Sequence, residues 1–218
     1  MLITALIQGK KEAFVNLYLD DQFAAGITKN TLIEFALYKG KFIDETTWTE
    51  ILEKDSITRL YLKAYAYLLI RPRSQGEIET FLQAKTSKTI EDTASRAHIV
   101  SKVIEKLIEQ KLIDDHAFAS WWVENRNAFR SRSSTELKRE LQLKRVPSAI
   151  IDTVIKQEVT IDNQVEMIRA TAKKRLRVDD LNFLKQDRKS FTKITQYFMR
   201  RGFSYNLIKQ ALFESQNL

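Results

Sequence analysis

Three short phrases of the sequence set arginine and lysine beside a serine: RPRS at 71–74, RSRS at 130–133 and DRKS at 187–190. An apolar pair at helical spacing follows each: Ile78 and Leu82, Leu137 and Leu141, Ile194 and Phe198. Then comes a break, basic in the second and third copies, Lys144-Arg145-Val146-Pro147 and Arg200-Arg201-Gly202-Phe203. The chemistry open to such clusters is electrostatic. A helix start presents unpaired amides and partial positive charge, and guanidinium and ammonium groups around it would make a phosphate site. The candidate contacts are Arg71, Arg73, Arg130, Arg132, Lys138, Arg139, Lys144, Arg145, Arg188, Lys189, Arg200 and Arg201. A further cluster, Lys173, Lys174 and Arg175, is consecutive on a helix, so only part of it can face one partner. The alternative for all of them is a solvated helix face.

The charge distribution favours a polyanion. Residues 1–129 hold 17 Lys or Arg against 18 Asp or Glu, whereas residues 130–209 hold 19 against 9, a net of +10. An asymmetry of this size is an electrostatic footprint. Other classes find little support. There is no Cys, so disulfides and thiolate metal sites are excluded, and no run approaches eighteen apolar residues. The apolar start LITALI precedes its lysines, the reverse of a secretory leader, which leads us to expect a cytoplasmic protein. Phosphate-loop, zinc-protease and nucleophile-elbow motifs are missing, so no catalytic residue, metal or cofactor is expected. Asp114-Asp115 and Asp179-Asp180 suit helix starts, and His98 and His116 suit ordinary polar roles. Trp121 and Trp122 could stack on bases, but neighbours on a helix diverge by about 100°, so at least one is expected in the core.

The elements that must position these residues change character along the chain. LITALI, AFVNLYL and QFAAGI alternate as short strands, with a tight turn at Asp20-Asp21. Thr28 should cap a helix through Tyr38, ended by Gly40, and a second helix is expected near Glu45 to Lys54. From Ser56 the period is helical throughout. The three phrases superpose at offsets of 59 and 57 residues, and Ser74 with Glu77 and Ser133 with Glu136 fit a capping box. The third phrase has Lys193 in place of the glutamate, so half of that cap is lost. In the first copy the break reads TSKTIEDTASRAH and the helix resumes near Val100. Third helices are expected to close the first and second units from Asp115 and Asp162. The reading is a mainly α protein: a small α+β unit with a short antiparallel sheet at 1–55, then three-helix repeats at 56–129, 130–178 and 179–218.

LIDDHAFASWWVENR at 112–126, the RPRS and RSRS starts and the RRGF break together resemble the RecX family of regulatory proteins, over essentially the whole chain. The best-matching positions are Leu112, Asp114, Asp115, Phe118, Ala119, Val123 and Arg126, read as fold-determining. The resemblance implies a non-enzymatic modulator that lodges on the RecA nucleoprotein filament and restrains its ATP hydrolysis and strand exchange. It also implies contact with single-stranded and double-stranded DNA; no membrane partner is expected from the composition, and a monomer is the default. The rival reading is a general DNA-binding helical-repeat protein without a recombinase partner. Departures from the family pattern are Lys144-Arg145 in place of a Lys-Gly break, the long first break, and only two obvious helices in the third unit, with 179–186 as a linker or opening turn. Reversing Arg130, Arg132, Lys144 and Arg145 to Glu is expected to weaken binding with helicity intact.

Overall fold

The computed structural model describes residues 1–87, 90–129 and 132–213, without the side chains of 128 and 129. Contacts sort the chain into two compact units, one of 1–72 and 78–113, the other of 73–77 and 114 onward.

In the first unit β1 (Ile3–Gln8), β2 (Phe14–Leu19) and β3 (Gln22–Thr28) form an antiparallel sheet in that order. Asp20 and Asp21 take φ of 48° and 61°, as a two-residue hairpin turn requires for its strands to keep their twist. Along β2, Val15, Leu17 and Leu19 are buried while Asn16 and Tyr18 are half-buried, the expected period of two. Thr28 caps α1 (Lys29–Glu34), but this helix stops well short of Tyr38. Ala36 turns left-handed at φ 45° and the Leu37 amide reaches back to the Leu32 carbonyl at 2.9 Å. That closure drops Leu37 into a core with Ile3, Leu17 and Ile43. Gly40 lies beyond it and donates to the Ile3 carbonyl.

Helix α2 (Glu45–Leu68) is continuous through the expected break after Lys54. No Gly or Pro interrupts it, and Asp55 gives the middle of the helix a reason to exist. This carboxylate, 5% exposed, accepts from the Thr28 amide at 2.6 Å and the Thr31 hydroxyl at 3.2 Å. It also pairs with Arg59, which donates to the Gly26 carbonyl, so one acid ties sheet, α1 and α2 together. Helices α2, α3 (Gln75–Thr86) and α4 (Thr93–Glu109) enclose Leu60, Ala64, Ile78, Leu82, Val103 and Leu107. Helix α4 begins well before Val100 because the Asp92 carboxylate caps it, accepting from the Ser95 amide at 2.7 Å. TASRAH is therefore helix rather than break.

The second unit holds two helix triplets. Helices α5 (Asp115–Phe129), α6 (Ser134–Leu143) and α7 (Ser148–Glu158) surround Phe118, Val123, Leu137, Leu141, Ile151 and Val154. Helices α8 (Ile161–Leu176), α9 (Arg188–Met199) and α10 (Tyr205–Phe213) surround Ile168, Ala172, Ile194, Phe198 and Ile208. The packing phases the triplets differently from the sequence reading. The apolar side of α5 faces α6 and α7, and that of α8 faces α10, so each of these helices opens a triplet where it was expected to close one. The third triplet accordingly has its three helices. A 3-10 turn at Asn182–Lys185 lies inside it, with Leu181 and Leu184 buried in the same core.

The first two serine phrases are joints. Ser74, fully buried, accepts from the Glu77 amide at 3.1 Å and donates through the same hydroxyl to the Lys144 carbonyl at the end of α6. Ser133, 2% exposed, caps α6 in the same way, accepting from the Glu136 amide at 3.1 Å. Its hydroxyl lies 2.5 Å from where a Cβ on Gly202 would stand. A Cβ on Gly76 would likewise run into the Arg145 side chain and press on the Lys144 carbonyl. In both joints the start of one triplet's middle helix meets the break of the next. Ser74→Ala should cost about 1–3 kcal/mol through lost cap and orphaned groups. Gly76→Ala and Gly202→Ala should cost a similar ~1–3 kcal/mol through overlap. Urea unfolding should show lower midpoints at an unchanged m-value; unaltered midpoints would mean that the joints carry no stability.

Candidate nucleic-acid interface

The helix starts, expected to be open phosphate sites, are occupied by the protein's own acceptors. The Gln75 amide donates to the Asp115 carboxylate at 2.7 Å, and the Ser134 amide to the Gln164 side chain at 3.4 Å. Helix α9 is capped by Asp187, three residues before Ser190, and its carboxylate accepts from the Lys189 and Ser190 amides at 3.1 and 3.0 Å. A carboxylate outbids a hydroxyl here because its charge also answers the helix dipole. Phosphate would have to be met by side chains.

Those side chains divide into two sets. In the first, charge is already compensated or held within the fold. Lys144 pairs with Glu77 at 2.9 Å, Arg132 with Glu140 at 3.6 Å and Lys138 with Asp152 at 2.6 Å. Arg71 donates to the Pro72 carbonyl, and Arg73 is half-buried beside the first joint. Arg145 takes the left-handed position that ends α6, at φ 59°, where glycine would sit without strain. The second set is exposed: Arg139, Lys173, Lys174, Arg188, Lys189 and Arg200 form no ion pair among the described residues. Arg175 and Arg201 belong to neither set, since both guanidiniums lie over the Tyr197 ring, 4.0 and 4.2 Å from its centre. Arg130 lies outside the described residues.

Glu140 organises a cluster that the sequence reading missed. Its carboxylate, largely buried, accepts from Arg126 at 2.7 Å and from the Trp122 indole N–H at 2.9 Å, besides pairing with Arg132. Arg126 and Lys144 stand over the Trp122 ring at 4.5 and 5.0 Å. Both tryptophans pack against the core of the second triplet, and the face of Trp122 is taken by cations, so base stacking on it is not open. The family-matching residues keep structural roles. Phe118, Ala119 and Val123 are buried, Asp114 caps α5 through the His116 and Ala117 amides, and Asp115 reaches the first amide of α3. His98 pairs with Glu53 at 3.0 Å; no group of residues able to hold a metal occurs among the described residues. No helix among them is long and apolar enough to cross a membrane.

Fold and side-chain chemistry define a class: a tandem array of three-helix repeats behind a small α+β unit, with cation-rich second and third repeats. Comparison with known proteins agrees. Family models described as the second and third three-helix domains of RecX match residues 114–155 and 162–212. The regulatory protein RecX of Bacillus licheniformis is 29% identical over 95% of this chain and 74% of its own length. A crystal structure of a regulatory protein RecX superposes with a TM-score of 0.71 at 26% identity, over 98% of this chain and 99% of the other. RecX from Lactobacillus salivarius, at 24% identity and a TM-score of 0.58 over 72% and 95%, shares the fold. The chain belongs to the RecX family of regulatory proteins.

The α9 cap also sets an acid response. Hydrogen bonds from the Ser190 side chain, then its amide, hold the Asp187 carboxyl below its ordinary value. Because the folded value is lowered, the cap stabilises above the unfolded carboxylate pKa and is lost as pH falls through the folded one. The stability gap between the parent and Asp187→Asn should therefore close on acidification from neutral pH, as read by thermal melts. A gap independent of pH would mean that the charge contributes nothing.

Proposed function

We propose that this protein is a non-enzymatic regulator of homologous recombination and DNA repair that binds RecA nucleoprotein filaments and DNA. On this reading it restrains the filament's ATP hydrolysis and strand exchange, acting as a monomer in the cytoplasm. The supporting observation is the charge state of the second unit: six of the candidate cations are exposed and form no ion pair among the described residues, in a segment of net +10. A filament offers many phosphates in a row, so several weak contacts can sum to useful affinity, with counterion release supplying much of it.

The joints change which variants test this. Reversing Lys144 or Arg132 would place like charges against Glu77 and Glu140 and damage the fold. The informative variant changes Arg139, Arg188, Lys189 and Arg200 to Gln. Substoichiometric parent protein should depress RecA ATPase on single-stranded DNA, and this variant should depress it less at unchanged helicity. Its log K should fall less steeply with log salt, by about 0.7 per phosphate contact removed. Ordinary DNA affinity with no effect of the parent on ATPase would instead identify a general DNA-binding protein.

A further inference from the structure

Counting along the repeats brings two positions into register. Leu137 and Leu141 correspond to Ile194 and Phe198, buried in their respective cores, so Glu140 corresponds to Tyr197. Ala119 and Val123 correspond to Ile168 and Ala172, so Arg126 corresponds to Arg175. In the second triplet the guanidinium meets a carboxylate, Arg126 to Glu140 at 2.7 Å. The matching guanidinium of the third triplet meets an aromatic ring, Arg175 over Tyr197 at 4.0 Å, and Arg201 from the α9 break stands over the same ring at 4.2 Å.

This exchange alters what the cations can do. A carboxylate consumes both the charge and the N–H donors of an arginine, whereas stacking on a ring engages its face and leaves its edge donors pointing outward. Neither Arg175 nor Arg201 makes a side-chain hydrogen bond or ion pair among the described residues. The platform is fixed, since Tyr197 packs against the third core and meets the ring of buried Phe198 edge-on at 5.1 Å. Two like charges held over one ring, with exposed Lys174 and Arg200 next to them in sequence, repel each other until an anion joins them.

We infer that Arg175, Tyr197 and Arg201 form a phosphate clamp in the third repeat that holds the backbone of single-stranded nucleic acid. Tyr197 is its positioning residue, orienting the two guanidiniums without touching the phosphate. Edge donors of arginine suit the non-bridging oxygens of a phosphodiester, which they can grip in pairs. The inference rests on the nucleic-acid part of the function proposed above.

The test is binding of a fluorescent oligothymidylate to the full chain across a salt series, with circular dichroism as control. Tyr197→Glu, which copies the second repeat, should weaken binding about tenfold or more and flatten the salt slope by about 0.7 per phosphate lost. Arg175→Gln with Arg201→Gln should do the same. Tyr197→Leu leaves net charge unchanged and should still weaken binding, while Tyr197→Phe should retain it; a merely structural tyrosine would not move the salt slope. If the parent binds and all variants match it in affinity and slope, the clamp is refuted alone. If the parent does not bind oligothymidylate, the nucleic-acid reading fails and the clamp with it. Variants that keep DNA binding but lose binding to RecA without DNA would assign the cluster to protein carboxylates and overturn the phosphate assignment.

Discussion

A helix leaves its first amides without acceptors and its last carbonyls without donors, and both become costly when the ends are buried. The Ser74 hydroxyl meets the two demands at once, accepting at the start of α3 and donating to the last carbonyl of α6. One such hydrogen bond adds only about 1 kcal/mol net, but opening the joint would strand buried polar groups at about 1–3 kcal/mol each. The joint is thus held mainly by the penalty for breaking it. Close approach is the geometric condition, met by Gly76 against Arg145 and by Gly202 against Ser133, where φ of 80° and the absence of a Cβ are both needed. The serine phrases at 71–74 and 130–133 are explained by this role, because each presents a helix start that the next triplet's break covers.

That constraint decides where positive charge is free. Bringing a basic break against a basic helix start crowds like charges, and the fold answers with two largely buried acids. Glu77 takes Lys144, and Glu140 gathers Arg126, Arg132 and the Trp122 N–H. Trp122 adds a π-face on which Arg126 and Lys144 rest, a favourable contact that needs no counter-charge. Cations nearest the first joint are therefore structural. Those displaced from it, such as Arg139 on α6 and Arg188 and Lys189 at the start of α9, stay exposed and uncompensated.

The parts of the sequence that were legible are those governed by local periodicity. The period-two burial of β2, the Asp20-Asp21 turn and the equivalence of Ile78, Leu137 and Ile194 were all readable because burial repeats with backbone geometry. What escaped depended on distant partners. Helix α1 ends at Glu34 because Leu37 is claimed by a core built from Ile3 and Ile43, and α2 runs on because Asp55 is claimed by Thr28 and Thr31. The third cap was expected at Ser190, but the Asp187 carboxylate, three residues earlier and the stronger acceptor, takes it. At the candidate interface, composition identified the basic segment. It could not tell that Lys144 faces an acid 67 residues away while Arg200 pairs with none among the described residues.

The repeats also show how one scaffold yields different electrostatics at a single position. Phe81, Glu140 and Tyr197 each stand one residue before the second buried residue of an equivalent pair, Leu82, Leu141 and Phe198. The buried neighbours have little freedom, since a change of volume there leaves a cavity or forces overlap. The half-buried position tolerates an aromatic or an acid, and its choice sets the fate of the surrounding cations. Phe81 stacks on Tyr67 at 4.2 Å and carries Lys85 over its ring, at 5.3 Å. Glu140 neutralises two arginines, and Tyr197 supports two without neutralising either. Duplication of a three-helix unit therefore fixes where charges can be placed, and one side chain beside the core decides whether they are spent on the fold or kept for a partner.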